Sequence, residues 1–263
     1  MINLWPVPGK DPHPSSTNSS ASRGGAASSA PHAPLVQLMV LLPLVVLYEA
    51  AVPFTSLRTG WYHRIDVWSQ AALGRLGLTA YYLPGVLILL ALLAVHIWRR
   101  DPWAIRADQL WKLWGESILW IVPLFVLYLL FTLPIGELLS AQLGLLARGP
   151  KDLFSNIVLA VGAGLFEEFV FRLVLVSLVL WLLQKLLRIR VDAAQLIAVC
   201  LVAAVFAAAH HFGPNARPYD HLAFLFCVGA GIYLGSVYLL RGFATAAIVH
   251  AGFNILLALL GII

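Results

Sequence analysis

The stretch Asn156-Ile-Val-Leu-Ala-Val-Gly-Ala-Gly-Leu-Phe-Glu-Glu-Phe-Val-Phe-Arg-Leu-Val-Leu-Val-Ser-Leu-Val-Leu-Trp-Leu-Leu183 decides the fold. It is long and apolar enough to be a membrane-buried helix, yet it carries Glu167, Glu168 and Arg172 near its middle. Each charge placed at bilayer centre costs roughly 2.5–3.5 kcal/mol, so a segment that only had to span would carry none of them. Such a trio points to a polar site facing the interior of a helical bundle.

Working outward, the rest of the chain has the same character. Of its 263 residues, 61% are hydrophobic and only 11% charged, against about 25% charged in a soluble domain. Apolar runs near the length of a bilayer crossing recur along it. The fold class expected is therefore all-α, a polytopic transmembrane bundle of about seven spans with short interfacial helices. The spans fall at about 35–54, 78–98, 115–134, 152–186, 193–211, 221–240 and 243–262. The fourth exceeds the roughly 30 Å hydrocarbon core, which implies a tilt, a break near Gly162 and Gly164, or a part lying along the interface. Residues 61–73, with Trp61, Tyr62 and Trp68, read as an interfacial helix, and His96 beside Trp98 and Arg99 as an interfacial side chain.

Residues 1–34 are rich in Pro, Ser, Gly and Ala and read as a disordered tail ahead of a transmembrane domain at 35–263. That tail has no apolar core near its start, so no cleavable signal peptide is expected. The net charge of +5 is no nucleic-acid footprint, because the cations sit in short loops beside apolar segments. Seven spans place ten Lys or Arg on the side of the N-terminus and six on the other. This bias argues for a multi-pass protein of the cell membrane with a cytoplasmic N-terminus. Cys200 and Cys227 lie in spans and read as small apolar fillers rather than a disulfide.

Three segments carry chemistry. In the fourth span Glu168 and Arg172 are spaced i,i+4 and form an ion pair on one face. Glu167, about 100° around the helix, has no partner in its own segment, which makes it the candidate general base. In the fifth, Phe206-Ala-Ala-Ala-His210 puts an imidazole on the face of Phe206, with His211 beside it. In the seventh, His250 and Asn254 sit one turn apart. A carboxylate steered by one histidine deprotonates water, while the second histidine and the amide stabilise an oxyanion. Glu167, His210 and His250 are equally a ligand set for Zn2+, with a fourth position left for water, although no local metal motif supports it. Gly229, Gly231 and Gly235 read as helix-packing positions, and Asp220 as an N-cap.

Together these pieces resemble the CPBP family of intramembrane proteases, the type II CAAX prenyl endopeptidases and bacteriocin-processing proteins. Its Glu-Glu-x-x-x-Arg, Phe-x-x-x-His and His-x-x-x-Asn motifs are matched by Glu167 to Arg172, Phe206 to His210 and His250 to Asn254, over a core at about 150–260. The resemblance implies an endopeptidase acting on a membrane-associated or lipidated protein. Glu167 would activate water with His210, His250 and Asn254 would support the oxyanion or hold a metal, and Glu168, Arg172 and Phe206 would support them. Two other readings of the same polar groups are a transporter or proton-coupled channel and a non-enzymatic immunity or scaffold protein.

Overall fold

The computed structural model describes residues 33–59, 83–132, 150–212 and 219–262. Among them the ordered elements are all helical: α1 (Pro34–Thr59), α2 (Leu83–Arg99), α3 (Ala107–Thr132), α4 (Pro150–Glu168), α5 (Ser177–Trp181), α6 (Val191–His211), α7 (His221–Arg241) and α8 (Phe243–Leu259). After α4 the helix runs on without interruption to Leu186, with π-helical turns at Phe169–Val176 and Leu182–Leu186 flanking α5, and residues 187–190 turn the chain into α6. Five helices are long and apolar enough to cross a membrane, and α2 and α8 contribute shorter apolar helices.

The ends of these helices follow from local chemistry. Pro34 and Pro150 open α1 and α4, where a missing N–H costs nothing. Asp220 caps α7 as expected, its carboxylate accepting from the Ala223 amide at 2.8 Å. Gly242, at φ 90°, ends α7 and starts α8 in a left-handed conformation that suits a residue without a Cβ. The first turn of α8 is closed from outside: Gln37 of α1 is fully buried, and its Oε1 accepts from the Ala244 amide at 3.0 Å.

Helix α8 is the centre of the bundle. Its residues Phe243 to Ala251 are buried without interruption, and α1, α3, α4 and α7 pack around it. Close approach is bought with small residues. A Cβ on Gly164 of α4 would sit 2.6 Å from the Cα of Ala251, and one on Gly231 of α7 would sit 2.8 Å from the Cα of Ala203. Gly164→Ala is expected to lower stability by about 1–3 kcal/mol, the usual range for overpacking, read as a fall in the unfolding midpoint of the purified protein.

Of the alternatives for the long fourth helix, a break at Gly162 or Gly164 is excluded. Those positions instead admit Tyr48 of α1 and the backbone of α8, and the irregularity comes later, as π turns after Glu168. Helix α3 begins at Ala107 rather than 115, so Trp111 and Trp114 lie on a helix. His96 is only 1% exposed: Trp103 folds back and meets its ring edge-on at 4.4 Å, so the ring is packed inside the protein. The tail, the 61–73 helix, most of the 135–152 connector and the Gly213-Pro214 terminator lie outside the described residues.

Candidate active site

Glu167 and Glu168 close the last turn of α4, and Arg172 follows in the π-helical turn, a wider coil than α. Glu168 and Arg172 are buried at 0% and 1% exposure and paired, Nη1 to Oε1, at 3.0 Å. Arg172 also donates from Nη2 to the Gly231 carbonyl at 3.4 Å and lies 4.6 Å from the centre of the Phe206 ring. The expected i,i+4 pair is therefore present, and it is braced by α6 and α7.

The pair has a second use that its sequence spacing does not reveal. The same Glu168 oxygen accepts from His250 Nδ1 at 2.8 Å. With Nδ1 carrying the proton, Nε2 of His250 is left with its lone pair, and it lies 3.9 Å from Oε2 of Glu167. His210 is arranged alike. Its Nδ1 bonds the Phe206 carbonyl at 2.9 Å, and since a carbonyl only accepts, Nδ1 is the donor. Nε2 of His210 then faces the same Glu167 oxygen at 3.5 Å. Phe206 fills the space between the rings, 4.4 Å from His210 and 6.1 Å from His250, centre to centre.

Two imidazoles, from α6 and α8, thus converge on Oε2 of Glu167 from α4 with their Nε2 atoms inward. The exposures grade from 8% at the His250 side chain through 16% at Glu167 to 32% at His210, so the cluster opens toward the end of α6. His211 does not join it. Its ring is buried on the other side, 5.4 Å from Phe224 and 6.1 Å from Tyr219, with Nδ1 on the Ala207 carbonyl at 3.0 Å. Asn254 is half-buried on the turn after His250. Ser177 bonds Tyr238 at 2.8 Å and stands apart from the cluster.

The zinc set considered from the sequence is brought close together. Among the described residues, however, no group of three or more His, Cys, Asp or Glu is disposed to hold a metal ion. Sequence reasoning passes over Gln37 and Glu49, whose carboxylate accepts from the Gly85 amide at 3.1 Å. A lone amide and a lone carboxylate inside the first apolar run were the signal available.

Fold and cluster together define a polytopic helical membrane protein with a buried carboxylate–imidazole centre. A family model described as type II CAAX prenyl endopeptidase Rce1-like matches residues 149–256, the stretch that carries every residue from Glu167 to Asn254. No match was found among curated proteins or among solved structures.

Proposed function

We propose that the protein is an intramembrane endopeptidase that hydrolyses a peptide bond of a membrane-associated or lipidated protein, using water activated by Glu167. The observation that carries this reading is the convergence of both imidazole Nε2 atoms on Oε2 of Glu167, at 3.5 and 3.9 Å. A water molecule at such a point finds two acceptors for its hydrogens and keeps an oxygen lone pair free to attack. Glu167 with His210 takes the proton as the carbon–oxygen bond forms, and the same proton is then delivered to the leaving amine. His250, oriented by Glu168, and Asn254 lie on one face of α8 and support the tetrahedral oxyanion, Asn254 by donating from its amide and His250 by accepting, at Nε2, from the hydroxyl that the water leaves on the carbon. The cell membrane and a cytoplasmic N-terminus complete the proposal, on the charge bias of the loops.

The test is hydrolysis of membrane-anchored peptides, lipidated and not, by the full chain reconstituted in vesicles. New peptide termini are expected. Ion or solute flux without cleavage would replace this reading with the transport one. The mechanism routes no step through a metal. Purified active protein is therefore expected to keep full turnover with zinc far below one ion per chain, measured by elemental analysis. Activity lost to a chelator and restored by Zn2+ alone would overturn the metal-free step.

A further inference from the structure

Among the described residues, cations gather at one end of the bundle. Gln37 meets Ala244, Arg241 meets Glu116 at 2.6 Å, and Ser177 meets Tyr238. These contacts put the starts of α1, α3, α6 and α8 at one end, together with the ends of α2, α7 and the long helix that leaves α4. At that end Arg99, Arg106, Lys112 and Arg241 are each paired with a carboxylate. Arg100, Lys185, Arg188 and Arg190 are exposed and have no ion-pair partner among the described residues.

Two of these four cations occupy sterically unfavourable positions. Arg100 and Arg188 have φ of 54° and 53°, the left-handed conformation in which a Cβ crowds the backbone. Each follows a helix end closed by a backbone bond around it, Asp101 N to His96 O at 3.4 Å and Ile189 N to Leu183 O at 2.9 Å. Glycine is the usual residue there, and this chain places glycine at the equivalent positions Gly242 and Gly261. Cations at helix ends do complement the dipole, but that benefit does not require leaving four of them unpaired. Their neighbours are equally telling: Trp98 is 60% exposed, and Leu186 and Leu187 are 72% and 61% exposed. Unpaired cations beside exposed apolar side chains match the boundary between phosphate and acyl chain.

We infer that Arg100, Lys185, Arg188 and Arg190 form a docking surface for the phosphates of anionic phospholipids at this end of the bundle. A cation near an anionic surface strengthens binding about fivefold, so the four together select anionic over zwitterionic lipid. The experiment compares unfolding midpoints of the full chain in detergent with added phosphatidylglycerol, phosphatidylcholine or inorganic phosphate. Phosphatidylglycerol is expected to raise the midpoint above the phosphatidylcholine value, and free phosphate to leave it unchanged. The variant Arg100→Gly, Lys185→Gln, Arg188→Gly, Arg190→Gln is expected to lose that increment while keeping its midpoint in phosphatidylcholine, because glycine relieves the backbone at two of the sites. Should the variant fail to fold, lipid retained by the wild type in native mass spectrometry from an equal mixture decides, with enrichment of phosphatidylglycerol expected. Equal retention, an increment that survives in the variant, or one reproduced by inorganic phosphate would overturn the proposal.

Discussion

Glu167→Gln is expected to fold as the wild type does and to lose peptide hydrolysis by about 10²–10⁴-fold, the range for removing a general base. Glutamine keeps the volume and one oxygen of the side chain but cannot take a proton from water. The substitution also removes a charge from a group that is only partly exposed, so the helix that carries it has no reason to unfold. Turnover of a reconstituted membrane-anchored peptide measures the first effect, and the unfolding midpoint measures the second. His210→Ala belongs to the same step and should fall within the same range. Because the two act as a unit, the double variant is expected to be little worse than either single one. Additive losses would mean that they serve different steps.

Arg172→Ala is expected to be the most destabilising single change at the site, by about 3–5 kcal/mol. Its partner Glu168 is fully buried, and truncation would strand that carboxylate in the bundle with His250 alone beside it. The substitution also empties the space against Phe206 and frees the Gly231 carbonyl. The double variant Arg172→Met, Glu168→Gln removes both charges at once and should regain part of that stability, since replacing a buried pair costs less than breaking it. It should not regain activity. His250 would then face a neutral amide where a carboxylate had fixed its tautomer, and its Nε2 would no longer be held toward Glu167. A double variant with wild-type turnover would reduce Glu168 and Arg172 to packing.

How much of this was legible beforehand depended on the range of the interaction. The helical class, the approximate spans and the Glu168–Arg172 pair follow from hydropathy and i,i+4 spacing, which are local. Placing His210 rather than His211 toward Glu167 is not local. It rests on where α7 places Phe224 and on Tyr219 just ahead of that helix, whose rings pack against His211. The Glu168–His250 bond was hidden for a related reason: Arg172 alone satisfies the i,i+4 expectation, and nothing in the spacing announces a second partner 82 residues away. Likewise the glycines at 162 and 164 suggest a break when read along the helix, whereas across it they are the places where Tyr48 and Ala251 fit.

The central claim is that a carboxylate and two imidazoles from three helices meet in a partly wet site within the bilayer and cut a neighbouring protein there. Native membranes carrying the wild type or Glu167→Gln, compared for the peptide fragments they release and the uncut precursors they retain, measure this most directly. The account predicts a set of fragments present only with the wild type, matched by precursors that accumulate only with the variant. Identical fragment and precursor profiles, with both proteins folded and inserted at equal levels, would contradict it.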